Sequence, residues 1–196
     1  MAGTLMIATP LASGAPANES APATANGCLP SGDSSLQARV RGAIEADINW
    51  SSAEMTCEGG MRPNNKGLRV SIAGPVVLTA GSSPAENKPV RLRFVFGITL
   101  RDTAPGVAQA LPTNLTLIVE GQQKLFATLG DDKCAVEVLE VTPLLTVVAD
   151  RGSSGARQRI HARGYCLVPA TDLQGLERVL VSTFEFTTQV KSGDEP

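Results

Sequence analysis

Arg91-Leu92-Arg93-Phe94-Val95-Phe96-Gly97-Ile98-Thr99-Leu100 is the stretch that decides the fold class. Its residues alternate strictly, with Leu92, Phe94, Phe96, Ile98 and Leu100 on one side and Arg91, Arg93 and Thr99 among those on the other. A period of two is the signature of an extended strand with one buried face. The same pattern recurs outward from it. Leu68–Ile72 alternates on the N-terminal side. Thr113–Glu120 and Lys124–Leu129 flank Gly121-Gln122-Gln123, the mark of a hairpin. Ala135–Val141 and Leu144–Ala149 are separated by Pro143, and Gln158–Val168 and Val179–Val190 complete the set. Along the last of these, Leu180, Ser182, Phe184, Phe186, Thr188 and Val190 should share a face. Strands of this length with turn residues between them predict a mainly β protein. The expected architecture is an antiparallel β-sandwich or barrel of about eight or nine strands.

One segment has a different period. Leu36, Val40, Ile44 and Ile48 recur every fourth residue, and Ser34 followed by Gln37 forms a capping box. This predicts one α-helix over residues 34–48, laid by a narrow apolar stripe against the β body.

The four cysteines, Cys28, Cys57, Cys134 and Cys166, are widely spaced, with no C-x-x-C. With His161 the sole histidine, they offer no zinc-binding pattern, so no metal and no other cofactor is expected. Two sequential disulfides, Cys28–Cys57 and Cys134–Cys166, fit better and point to an oxidising compartment. The start of the chain agrees. Leu5–Leu11 is a short apolar run, and Ala15-Pro16-Ala17 has the form of a cleavage site, although no Lys or Arg precedes Arg39. Residues 1–27 are accordingly expected to be a truncated or atypical signal segment and tail. A single β-rich domain should follow over 28–190, with a disordered C-terminus at 191–196. The location expected is secreted or periplasmic. No run is long enough for a transmembrane span.

Lys plus Arg number 17 against 19 Asp plus Glu, a balance that sets up no global field to recruit nucleic acid. No G-x-S-x-G elbow, Walker lysine or D-x-D-x-D calcium loop occurs. His161 sits mid-strand, by alternation on the face opposite Cys166, so neither a serine nor a cysteine nucleophile has an evident base. No catalytic residue is assigned. Arg151, Arg157 and Arg159, in and beside a Gly/Ser-rich connection, could meet an anionic ligand. The favoured binding region runs from Cys57 to Gly67, held by a disulfide at one end and a strand at the other. Its candidate contacts are Arg62, Asn64, Asn65 and Lys66, with Trp50 just upstream. The function expected is a non-enzymatic binding module for a protein or cell-envelope ligand. The alternatives are an extracytoplasmic hydrolase with a site assembled from distant residues, or an assembly subunit that pairs through strand edges, the last strand being a candidate edge.

Overall fold

The structure is a computed structural model and describes residues 26–62, 66–78, 89–100, 110–144 and 156–191. The expected signal segment, apart from Asn26 and Gly27, lies outside these residues, as does the strand expected over 144–149 apart from Leu144; of the C-terminus expected to be disordered over 191–196, Lys191 ends the last strand and 192–196 lie outside.

Eleven strands and no helix make up the described residues. They are β1 (Ser35–Gly42), β2 (Ala46–Ser51), β3 (Thr56–Met61), β4 (Gly67–Val77), β5 (Pro89–Thr99) and β6 (Leu111–Glu120). After them come β7 (Lys124–Ala127), β8 (Cys134–Pro143), β9 (Arg157–Cys166), β10 (Ala170–Asp172) and β11 (Arg178–Lys191). Nearly every pairing is antiparallel. Followed strand to strand, the ladder runs β3–β4–β5–β6–β8–β9–β11 and returns to β3. That last step is the exception: β11 and β3 are parallel and meet at one bridge, Lys191 with Gly60. β1 and β2 add to the outside edge of β11, and β7 and β10 bridge β6 to β11.

The core lies between β5 and β11. All five phenylalanines are buried, and Phe96 of β5 meets Phe184 and Phe186 of β11 at centroid distances of 4.7 and 4.9 Å. Each buried ring contributes about 1.5–3 kcal/mol by removal from water, and each close ring pair adds about 0.5–1.5 kcal/mol.

The expected helix over 34–48 is a β-hairpin. Leu36, Ala38 and Val40 face inward from β1, and Ile48 and Trp50 from β2, with the exposed polar residues Gln37, Arg39 and Asn49 between them. A four-residue spacing is a multiple of two, so it satisfies a strand as well as a helix. The positions that would have widened a helical stripe, Arg39 and Asp47, are charged and exposed. Gly42 then breaks the run: its φ of 115° is open to glycine, and a Cβ there would strike the Arg178 carbonyl. The Ser34 hydroxyl is engaged, but backward, accepting from Leu29 N–H at 2.8 Å. What decides the matter is tertiary: β11 offers β1 a full antiparallel partner from Thr187 to Val179.

Two further differences share one cause. The register of β1 on β11 slips between Arg39 and Val40, where Ser182 is an extra residue. Such a bulge reverses the faces beyond it. Val179 and Val181 therefore point inward in place of Leu180 and Ser182. A second slip, at Glu137 in β8, does the same between Val136 and Val138. The last strand is also no edge: β11 is flanked by β1 and β3 on one side and by β9 and β10 on the other.

A candidate ligand cleft at the barrel seam

Because β3 and β11 run parallel and share one bridge, the closed ladder has a seam between them. Residues 26–28 fill it as a strap. Cys57 of β3 donates its N–H to the Asn26 carbonyl at 2.7 Å. From the other side Gln189 of β11 donates its side-chain N–H groups to the carbonyls of Gly27 at 3.0 Å and Cys28 at 2.9 Å. The Cys28–Cys57 disulfide then ties the strap to β3 covalently. Asn26 is fixed in turn, its Nδ2 donating to the Ser52 carbonyl at 2.7 Å and its Oδ1 accepting from Cys28 N–H at 3.1 Å. The turn carrying Ser52 and Ala53 is closed by Glu54, whose carboxylate accepts from the Ser51 N–H at 3.0 Å and hydroxyl at 2.9 Å. Those bonds hold the Glu54 carboxyl below the usual carboxylate range, the backbone N–H contributing most.

Above the strap opens a cleft of about 710 Å³, a size suited to a small ligand. Its apolar wall is Leu29, Pro30, Ala53 and the disulfide; its polar wall includes Glu58, Arg157, Gln189 and Lys191. Gly59 keeps the floor tight, since a Cβ there would lie 2.6 Å from Val190 Cγ1 and 2.8 Å from the Gln189 carbonyl. The charge is net positive, with Lys191 directly opposite Arg157 in the β11–β9 register. The carboxylate of Glu58 leans toward Arg93 at 3.7 Å. Lys191 makes no ion pair among the described residues.

Gln189 has a specific deficit. Its Nε2 is committed to two carbonyls, so its amide cannot be turned around, and its Oε1 is buried with no donor among the described residues. A buried acceptor left unpaired costs about 1–3 kcal/mol. Thr188 Oγ1, on the core side of the same strand, also lacks a partner there.

The residues singled out from sequence are distributed otherwise. Trp50 is buried, its Nε1 donating to the Pro75 carbonyl at 2.8 Å and its ring standing edge-on to Phe94 at 5.8 Å. It serves the core near one end of β4. Arg62 lies at the other end, donating its N–H to the Gly67 carbonyl and its guanidinium to Thr99 Oγ1 at 3.3 Å. The same guanidinium stands 3.6 Å from Asp131, which also accepts from Asn114 Nδ2 at 2.8 Å. Lys66 is exposed and its carbonyl accepts from Leu100 N–H at 3.0 Å. Asn64 and Asn65 lie outside the described residues. Of the anchored segment, then, the beginning (Cys57, Glu58 and Gly59) lines the cleft. Arg157 is the one member of the sequence-flagged arginine group in the cleft, while Arg159 stands on the outer face. Strand alternation gives Gln189 and Lys191 no more weight than any outward polar residue, and composition groups Asn26 and Gly27 with the tail.

His161 faces outward from β9 between two carboxylates, with Nε2 2.9 Å from Glu185 and Nδ1 3.6 Å from Glu140. A general base needs one ring nitrogen turned toward a nucleophile. Both cysteine pairs are disulfides, with Cys134 and Cys166 directly opposite in the β8–β9 ladder. No group of His, Cys, Asp and Glu among the described residues is arranged to hold a metal. No helix of the described residues is long and apolar enough to cross a membrane.

No protein-family model, curated protein or solved structure matches this chain.

Proposed function

We propose that this chain is a secreted or periplasmic binding module that holds a ligand in the seam cleft without transforming it. The observation carrying this reading is the construction of the cleft: a disulfide, a strap bonded to two strands and a net positive wall converge on one concavity. Rigid support around a few polar groups is what recognition requires, since it removes the ordering cost of binding. The two disulfides are compatible with an extracytoplasmic location. The hydrolase alternative draws nothing from His161, whose ring nitrogens are directed at carboxylates.

Assembly through strand edges has a narrower basis. Among the described residues, the outer edge of β2 is unpaired, and β8 beyond Val136 has β9 as its one ladder partner. Glu140, the Glu137 bulge and Pro143 mark the β8 edge, and these are devices that discourage further pairing.

The test is a titration of isotope-labelled full-length protein with cell-envelope fractions. The amides that shift should cluster at Asn26–Leu29, Glu58–Gly59 and Gln189–Lys191. Shifts confined to the outer face of β8 and β9 would overturn the reading. So would turnover of ester, peptide or glycoside substrates that disappears in His161→Ala.

A further inference from the structure

Independently of the seam cleft, we infer that the outer face of the barrel bears a second site, a groove for a neutral saccharide. Tyr165 lies beneath the sugar ring, and Gln37, Glu137 and Arg163 bond to its hydroxyls. The groove holds about 370 Å³ and crosses β2, β1, β11, β9 and β8. The outside of a closed barrel is convex, so a hollow there needs a local cause, and two β-bulges provide it. Ser182 is the extra residue beside the Arg39–Thr183 pair, and Glu137 is the extra residue beside the Val138–Arg163 pair. Bulges bend a strand and re-aim its side chains. Both of these open onto one concavity, which Arg39, Thr183, Glu137 and Arg163 line together. The lining points to the ligand class. Asp47 and Glu185 are answered by Arg41 at 2.8 Å and His161 at 2.9 Å. The side chains of Gln37, Glu137, Arg163, Tyr165 and Thr183 engage no hydrogen-bond or ion-pair partner among the described residues. Gln37 stands opposite Glu185, and Glu185 opposite Arg163, so amide, carboxylate and guanidinium follow one another across the strands. A strongly charged ligand would meet a like charge beside every opposite one. A hydroxyl both donates and accepts, so a sugar answers all three groups. Tyr165, the single tyrosine, is half-buried, stacks on no ring among the described residues and has Ala135, a lone methyl, opposite it on β8. A ring that is apolar in body and wet at its hydroxyl suits the C–H face of a pyranose.

The test titrates the full oxidised chain, isotope-labelled, with neutral and charged disaccharides at millimolar concentration. The neutral probes are cellobiose, maltose and N,N′-diacetylchitobiose; the charged ones are digalacturonate and the deacetylated chitobiose cation. At least one neutral probe should shift the amides of Glu137, Gly164, Tyr165 and Thr183. Tyr165→Ala should weaken that probe about tenfold and Tyr165→Phe by less than about twofold. Glu137→Gln and Arg163→Gln should each weaken it about fivefold. Lys191→Gln, in the seam cleft, should leave it unchanged. The dispersion of the remaining signals verifies that each variant is folded. If a charged disaccharide binds the groove more tightly than every neutral one, the neutral class is wrong and the inference falls. If the shifts gather at Asn26–Leu29 and Lys191 instead, the sugar belongs to the seam, and this inference fails while the binding reading there gains. If no neutral probe moves a groove resonance, the inference falls and the seam reading is untouched.

Discussion

The two disulfides close loops of almost equal length, with sequence separations of 29 and 32, yet they sit in opposite surroundings. Cys134–Cys166 joins residues already opposite one another in the long β8–β9 ladder, with Cα atoms 3.9 Å apart. Cys28–Cys57 joins a strap to a strand where the barrel has scarcely any ladder of its own. In the unfolded chain the two bonds are worth nearly the same, about 3–4 kcal/mol each in the chain-entropy model. In the folded chain they differ. The second reinforces pairing that backbone hydrogen bonds already specify, whereas the first helps to hold together a seam that depends on a handful of side-chain and strap bonds. Equal entropy therefore need not mean equal structural consequence.

Removing each bond separately should have the largest effect. Cys28→Ala/Cys57→Ala and Cys134→Ala/Cys166→Ala should each cost about 2–5 kcal/mol in denaturant unfolding. They should part in native-state hydrogen exchange: the first opens the Cys57 amide and the strap, and the second leaves the amides of β8 and β9 protected. Equal exchange patterns in the two variants would mean that the seam is no weaker than the ladder.

Neighbouring glycines sharpen the same point. Gly59→Ala forces a methyl group against Val190 and the Gln189 backbone and should cost about 1–3 kcal/mol. At Gly60 the nearest atom is the Lys191 carbonyl at 3.7 Å, so Gly60→Ala should stay within about 0.5 kcal/mol of the parent. Chemical denaturation of the pair reads the difference, and similar midpoints would show that β3 and β11 are not pressed together at the seam.

Gln189→Met removes both bonds to the strap and the orphan acceptor with them, for a net loss of about 1 kcal/mol. The same change at the exposed Gln37 should be silent. Thermal melts compare the two.

The smallest effect concerns acid. The folded-state pKa of Glu54 is depressed, so its contribution is present above its unfolded pKa and is lost as pH falls through the folded value. Stability measured down the acid limb should decline less steeply in Glu54→Gln than in the parent. An unchanged slope would detach Glu54 from the turn that supports the strap.

The β class was legible because the run from Arg91 to Leu100 alternates without interruption, and Phe94 and Phe96 are fully buried as that alternation requires. The disulfide pairing was legible from the even number and wide spacing of the cysteines. The hairpin at Ser35–Ser51 was not, because apolar residues four apart fit both periods and only the arrival of β11 chooses between them. Bulges at Ser182 and Glu137 are invisible in a one-dimensional pattern, since each is a mismatch between two distant strands. The cleft was half legible. Its disulfide and the start of the anchored segment stood out, as did Arg157. Gln189 and Lys191 acquire meaning only where parallel strands part, and nothing local to either residue announces that. Trp50 drew attention by its type, and its area went to the core instead.

The strap of residues 26–28 closes the barrel between β3 and β11. Hydrogen exchange of the Cys57 backbone amide and the Gln189 side-chain amide, measured together in the oxidised native protein, tests it most directly. Both should be slowed well below the rates of an unstructured peptide and released together when Cys28 and Cys57 are replaced by Ala. Free exchange of both groups in the intact protein, with β9 and β11 still protected, would contradict it.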